Sequence, residues 1–263
     1  MDKIRILSLL NKLNHLHNRK KTNTTIADGK RVIETILESS PESVEYLLVR
    51  EDKDFSEVIE KFGKEDRIIY INSRDEKEIK ITQNPQGIYA IIKPPEIKKI
   101  KELNSFDRII FLYKLQDPIN VGIILRTALG FGWNAVCFIK SSVRMDNPKL
   151  IRTSSGYIYK QNIFFVDDLN QLFSITDHTI IIANQNSSFP LSRLKDNISG
   201  EEKLMLVLGN EGRGIDEEFI KSLNETEAPF FSVRIETEDI ESLNVSTAGA
   251  IMMYELRKVE EQS

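Results

Sequence analysis

Residues Leu204–Gly214 read LMLVLGNEGRG. Five consecutive apolar residues closed by a glycine predict a short strand buried on both faces. Gly209, Gly212 and Gly214 then predict a loop that offers bare main-chain amides to a ligand. The amphipathic run Glu217–Leu223 predicts the helix that follows. The order G-x-G-x-x-G is absent, and no Gly-Lys-Ser/Thr follows, so neither a dinucleotide fingerprint nor a P-loop is present. Glu211, inside the loop, would repel phosphate. A donor-rich loop carrying an acid suits a neutral or cationic ligand better.

Working outward, strands are expected at Arg108–Tyr113, Ala135–Ile139, Thr179–Ala183 and Phe230–Ile235, with helices at Val121–Phe131, Leu169–Phe173 and Ser246–Lys258. Buried strands alternating with helices predict an α/β fold with a parallel sheet covered on both faces. Ligands of such sheets sit beyond the carboxyl ends of the strands, here the loops after Tyr113, Leu208 and Ile235. Upstream, Lys93–Lys99 (KPPEIKK) reads as a linker, because its prolines favour extended chain and its lysines keep it solvated. Before it lies a smaller α/β domain: helices at Gly29–Glu38 and Phe55–Phe62, strands at Val44–Val49, Ile68–Ile71 and Gly87–Ile92. The domains are drawn at 1–95 and 104–263.

The other two loops also carry unusual residues. In Asp117–Gly122 (DPINVG) the Asp-Pro pair makes a turn, Asn120 is a candidate helix cap, and Gly122 permits close approach. Arg126 follows six residues after Asn120, so the two do not share a face of a straight helix. Glu241–Ala250 (ESLNVSTAGA) opens the last helix with small and hydroxylic residues, and Asn244 or Ser246 can cap it. Alone, the first of these is better read as an ordinary cap plus a surface arginine, and the second equally well as a capped terminal helix.

Composition narrows the class. Hydrophobic residues make up 40% of 263 and charged residues 29%, enough apolar material for a core without staples. The single cysteine, Cys137, reads as a small buried hydrophobe rather than a catalytic thiol. Charge interrupts the apolar runs before membrane-spanning length. His15 and His17 diverge on a helix, a poor metal pair, and no metal site is expected. The net charge of −4 does not advertise nucleic acid, but cations cluster locally: Lys12, Arg19, Lys20, Lys21, Lys30 and Arg31 near the start, then Lys98, Lys99 and Lys101. A local patch suffices for phosphate contacts. Asp2 is the only acid before Asp28. A basic N-terminal helix of that kind fits RNA contact better than a mitochondrial presequence, so a cytoplasmic setting is expected ahead of a mitochondrial one.

The three loops resemble, in order, the three motifs of the SpoU (TrmH-like) branch of the SPOUT methyltransferases: D-P-x-N-x-G-x-x-x-R at Asp117–Arg126, L-G-N-E-G-x-G at Leu208–Gly214 and S-L-N-V-S-x-A at Ser242–Ala248. Thr153–Gly156 also resembles a family segment. Gly29–Val32 and Pro85–Ile88 resemble the edges of the family's substrate-binding domain, which is similar to ribosomal L30e. The resemblance implies a deep trefoil knot in the C-terminal domain, S-adenosylmethionine as cofactor, a homodimer with active sites at its interface, and methylation of a ribose 2′-hydroxyl in RNA, ribosomal ahead of transfer RNA. It assigns Asn120, Arg126, Glu211, Ser242 and Asn244 to the catalytic site. It assigns the main chain of Gly209, Ile235 and Leu243 to the adenosine part of the cofactor. The chain departs from the pattern after Ile235, where Glu236-Thr237 replaces the usual Pro-Met.

Transfer from a sulfonium needs no metal; it needs an aligned nucleophile and a partner for the proton that leaves. A guanidinium gives up its proton at high cost, so Arg126 is expected to stabilise charge rather than act as base. The rival readings are a non-catalytic RNA-binding or ribosome-assembly protein that keeps the fold, and a small hydrolase. Retention of Asn120, Arg126, Glu211 and Asn244 together speaks against the first. The absence of motif residues around His178, the one histidine of the C-terminal half, speaks against the second.

Overall fold

The structure, a computed structural model, describes residues 2–79, 81–82, 84–198, 202–210 and 212–258. In chain order the elements are α1 (Lys3–Lys12), α2 (Leu16–Thr22), β1 (Thr25–Asp28), α3 (Lys30–Ser39), β2 (Val44–Arg50), α4 (Ser56–Phe62), β3 (Ile68–Ile71), α5 (Ser73–Glu78) and β4 (Ile88–Ile92). After these come β5 (Arg108–Leu112), α6 (Pro118–Gly130), β6 (Ala135–Ile139), α7 (Pro148–Thr153), β7 (Asn162–Val166) and α8 (Leu169–Phe173). The chain closes with β8 (Thr179–Ala183), β9 (Leu204–Leu208), α9 (Glu217–Asn224), β10 (Phe230–Val233) and α10 (Val245–Glu255). Two compact units result: Met1–Glu96 with Arg144–Lys160, and Ile97–Val143 with Gln161–Ser263.

The first unit holds a four-stranded sheet in the order β1-β4-β2-β3. Only the β2–β3 pair is parallel. α1 lays Ile6, Leu7 and Leu10 against Ile26, Leu48, Tyr89 and Ile91. The segment Arg144–Lys160 belongs to this unit, which a division at residue 95 does not anticipate. Thr25 donates its hydroxyl to the Asp146 carbonyl at 2.7 Å, and Arg152 grips the Asp28 carboxylate at 2.7 Å. Tyr159 donates to the Lys93 carbonyl at 2.6 Å. Gly156, at φ +79°, lies so close to α3 that a Cβ there would stand 2.6 Å from the Val32 carbonyl oxygen.

These contacts also thin the basic cluster expected near the start. Arg19 is buried; it donates to the Leu13 and Asn14 carbonyls, both at 2.9 Å, and stands 3.6 Å from the Asp146 carboxylate. It closes the α1–α2 turn instead of facing solvent. Lys30 pairs with Glu34 and Glu57, and Arg31 donates to the Tyr157 hydroxyl. Lys12, Lys20, Lys21 and Arg31 are the exposed cations of that cluster.

The second unit is built on a six-stranded sheet, β10-β8-β9-β5-β6-β7, parallel throughout. On one face Ile109, Phe111, Cys137, Phe164, Met205 and Phe219 form the core. Cys137 is fully buried and burial pushes its thiol pKa up, as suits a packing residue. α6 and α10 pack against each other, and each also exposes apolar side chains, Ile119 and Ile123 on α6 and Ile251 and Tyr254 on α10. Two side chains take up the carbonyls that the end of α10 leaves open: Trp133 Nε1 donates to Met253 at 3.1 Å and Arg108 Nε to Leu256 at 3.0 Å.

Three expectations change. β7 lies where no strand was expected; its short apolar stretch is bracketed by Gln161-Asn162 and Asp167-Asp168, which mask it as a loop. β10 ends at Val233, two residues early, because the chain then pairs with Pro190 through Arg234. Asp117, not Asn120, caps α6: its carboxylate accepts from Ile119 N–H at 2.9 Å, and Pro118 fills the first turn where no donor is needed.

Replacing Gly156 by alanine forces a side chain into the left-handed region and against the α3 backbone. We expect a loss of about 2–4 kcal/mol in urea unfolding. An unchanged midpoint would show that α3 can shift away freely.

Candidate active site

Parallel pairing brings the carboxyl ends of β8, β9 and β10 to one edge, where a cavity of about 850 Å³ opens. Its wall includes Gly209, Ile235, Ser242, Leu243 and Asn244, drawn from two of the three loops singled out in the sequence.

The Gly-rich loop folds back on itself. Asn210 N–H donates to the Gly214 carbonyl at 3.1 Å and Gly214 N–H returns a bond at 2.8 Å. Asn210 Oδ1 accepts from the amides of Gly212 and Arg213. This hairpin leaves no room beside Gly209, where a Cβ would stand 2.6 Å from Gly214 main-chain atoms. The loop after β5 braces it from outside. Asn210 Nδ2 donates to the Lys114 carbonyl at 3.0 Å, and the Lys114 ammonium reaches Asp216 and Glu218, each at 2.8 Å. Burial opposes the charges of Lys114 and Asp216, but hydrogen bonds together outweigh it, from Asp216, Glu218 and Tyr113 at the lysine and from Lys114, Tyr113 and the Phe219 amide at the aspartate: the lysine pKa is raised and the aspartate pKa lowered. Burial pushes the Tyr113 phenol up to about 12, so it remains a donor to Asp216 at 2.7 Å. The brace was invisible in sequence, because Lys114 and Asp216 lie far apart along the chain and neither belongs to a motif.

The third loop is held by Asn244. Its Oδ1 accepts from Ser246 N–H at 2.9 Å and Ser246 Oγ at 2.6 Å, which caps α10. Its Nδ2 donates to Asn120 Oδ1 at 3.1 Å. Asn120, buried in the first turn of α6, thus joins the site through Asn244 and not through the cavity wall. The Asn120 amide nitrogen keeps no protein partner among the described residues. Nearby, Gly249 lets α10 settle on β9, since a Cβ there would meet the Leu208 side chain at 2.8 Å.

Arg126 stands apart. It is exposed, and among the described residues nothing pairs with it. Six residues along α6 place it about 9 Å from Asn120 along the axis and about 120° around it. Glu211 lies outside the described residues. Ser242 is exposed on the rim.

The main chain shows what the cavity can hold. Among the described residues, the backbone N–H and C=O groups of Gly209, Ile235 and Leu243 have no protein partner. Main-chain groups near cover normally find one. Three open stations around one hollow therefore suit a flat, polar-edged ligand.

The family described as SpoU rRNA Methylase matches residues 107–254, more than half the chain. The chain belongs to the SpoU methylase family. A second family, described as RNA 2′-O ribose methyltransferase substrate binding, matches residues 26–98. The chain is 28% identical over 254 residues to the 23S rRNA (guanosine(2553)-2′-O)-methyltransferase RlmP of Bacillus subtilis, covering 94% of this chain and 93% of that one. It is 29% identical to a protein of Borreliella burgdorferi described as an uncharacterized tRNA/rRNA methyltransferase, over 73% of this chain and 87% of that one. Among solved structures it shares its fold with an AdoMet-bound rRNA methyltransferase from Sinorhizobium meliloti (TM-score 0.78, 19% identity, 95% and 93% of the chains). It likewise shares it with an RNA 2′-O ribose methyltransferase (TM-score 0.77, 21% identity, 95% and 94%).

This SpoU methylase uses S-adenosylmethionine, and the cavity fits that molecule. Open main-chain donors and acceptors match an adenine edge and a ribose. The carboxylate of Glu241 and the guanidinium groups of Arg213 and Arg234, all on the wall, match a zwitterionic, cationic tail. Among the described residues no group of three or more His, Cys, Asp and Glu is placed to hold a metal ion, and no helix is long and apolar enough to cross a membrane.

Gly209→Ala should open the Asn210–Gly214 hairpin and abolish binding of S-adenosylhomocysteine in calorimetry, while the far-ultraviolet spectrum stays that of the parent. Retained affinity would show that the hairpin is not what shapes the pocket.

Proposed function

We propose that this enzyme transfers a methyl group from S-adenosylmethionine to a ribose 2′-hydroxyl of ribosomal RNA. The observation that carries the reading is the ring of open main-chain groups at Gly209, Ile235 and Leu243, next to the Asn120–Asn244 pair. The RlmP similarity, which spans nearly all of both chains, favours ribosomal over transfer RNA. The setting would be the cytoplasm. When bound, S-adenosylmethionine supplies an electrophilic methyl group on a sulfonium.

The chain's own residues do the rest. Main chain at Gly209, Ile235 and Leu243 binds the adenosine part. Asn244 is locked by Ser246, so it holds Asn120 with its amide N–H groups free to fix the ribose. Ser242 and Glu211 complete the rim. Arg126 binds a phosphate and stabilises the alkoxide that develops as the hydroxyl attacks, and the hydroxyl proton passes to that phosphate. Residues 1–95 hold the RNA, with Lys12, Lys20 and Lys21 as phosphate contacts.

Helix geometry supports a homodimer with shared sites. Ile119, Ile123 and Arg126 fall on one stripe of α6, and Ile119 and Ile123 are exposed. Ile251 and Tyr254 are exposed on α10. Large apolar side chains exposed together on packed helices mark a surface that a partner covers. A second copy seated on this stripe would carry Arg126 to its partner's cavity, which resolves the separation of Arg126 from Asn120. The C-terminal chain would form the trefoil knot that the family implies.

Arg126→Ala should slow single-turnover methyl transfer about a hundredfold without weakening cofactor binding. Arg126→Lys should also be slow, because an ammonium does not reproduce the planar fork. Mixing Arg126→Ala with Asn244→Ala subunits should restore part of the activity through heterodimers. Near-parent turnover by Arg126→Ala would remove the residue from the mechanism. Failure of the mixture to recover would place each site within one subunit.

A further inference from the structure

The segment after β10 carries an arrangement that its sequence does not advertise. β10 is the edge strand of its sheet, so its continuation has a neighbour on one side only. Beyond Val233 the chain nevertheless stays fixed. Before Ile235, Arg234 N–H donates to the Phe189 carbonyl at 3.0 Å and the Arg234 carbonyl accepts from Leu191 N–H at 2.8 Å. After it, the Glu236 carboxylate accepts a hydrogen bond from the Ser192 hydroxyl. That bond holds the Glu236 carboxyl below its usual range. Thr237 adds a bond from its hydroxyl to the Ile240 carbonyl at 3.1 Å.

Ile235 is the residue left between these tethers. It lines the cavity, and its own N–H and C=O are open among the described residues. The partner segment is itself anchored: Asn184 N–H donates to the Val233 carbonyl, Asn184 Nδ2 donates to Ser232 Oγ, and Ser187 Oγ donates to the Ser232 carbonyl at 2.6 Å. The Phe189–Ser192 stretch is therefore tied at its base to the strand whose end it braces.

We propose that Ser192 and Glu236 are positioning residues for the cofactor. Their hydroxyl–carboxylate bond latches the loop after β10, so that the Ile235 main chain is held ready for the adenosine part of the ligand. The proposal rests on the cofactor reading of the cavity given above. Neither side chain needs to touch the ligand; the latch acts by removing backbone freedom that binding would otherwise have to freeze.

The test is calorimetry of S-adenosylhomocysteine binding to the full chain and to Ser192→Ala, Glu236→Ala, Glu236→Gln and the double alanine variant. Each single alanine variant should bind about tenfold more weakly. The double variant should be no weaker than either single one, because both remove the same bond. Glu236→Gln should keep most of the affinity, since its amide oxygen still accepts from Ser192. Unliganded melting temperatures should match the parent, which separates the latch from general destabilisation. Additive losses would overturn the proposal. So would a Glu236→Ala loss with Ser192→Ala at parental affinity and Glu236→Gln as weak as alanine, since that is the pattern of a carboxylate touching the ligand directly. If the parent chain itself does not bind, the cofactor reading falls and the latch falls with it. Parental binding with additive losses removes the latch alone.

Discussion

Parallel pairing of β5, β9, β8 and β10 is the constraint on which the site depends. In a parallel sheet every strand delivers its carboxyl end to the same edge. Leu112 is opposite Leu208, and the Tyr113 amide bonds to the Leu208 carbonyl, so the loops after β5 and β9 start level with each other. Lys114 and Asn210 can then brace one another although 95 residues separate their loops in sequence. Exchanging one strand direction would send its loop to the opposite edge and dissolve the site, whatever its residues.

From that shared edge the individual motif residues acquire different duties. Asn244 looks like a ligand-binding residue in sequence, yet most of its hydrogen bonds go to Ser246 and Asn120. Its work is to bind α10 to α6 and to aim its partner. Gly209 and Gly249 serve by what they lack: one lets the Gly-rich hairpin close, the other lets α10 lie on β9. The main chain, freed from internal pairing at three places, is left for recognition.

Much of this was legible in sequence. The strand Leu204–Leu208, the glycines after it and the small-residue start of α10 are local signals, and each falls where local rules put it. What was not legible depends on long-range partners. Asn120 reads as a cap, and only the structure shows that Asp117 has taken that role and that Asn120 turns to Asn244. Arg19 reads as a surface cation because a charge near other charges normally faces water; its burial follows from Asp146 and two carbonyls that fold onto it. The strand β7 is as long as its neighbours but too polar at its ends to declare itself. Arg144–Lys160 follows a strand of the second unit in sequence but is claimed by Asp28, Thr25 and Lys93 of the first.

The departure at Glu236-Thr237 from the pattern that the resemblance implies has a physical consequence. A proline after Ile235 would stiffen the chain by fixing its own φ and by restricting the residue before it. Glutamate does neither, so a free loop at the end of an edge strand would sample many conformations. The structure replaces that covalent stiffness with hydrogen bonds: the Arg234 main chain paired to Phe189 and Leu191, and the Glu236 side chain to Ser192. The consequence differs in kind. A ring restricts the unfolded chain as well as the folded one, whereas the Ser192–Glu236 bond exists only once β8 and β10 have brought their loops together. The shape of the loop after β10 is thus a product of the sheet as much as of its own sequence.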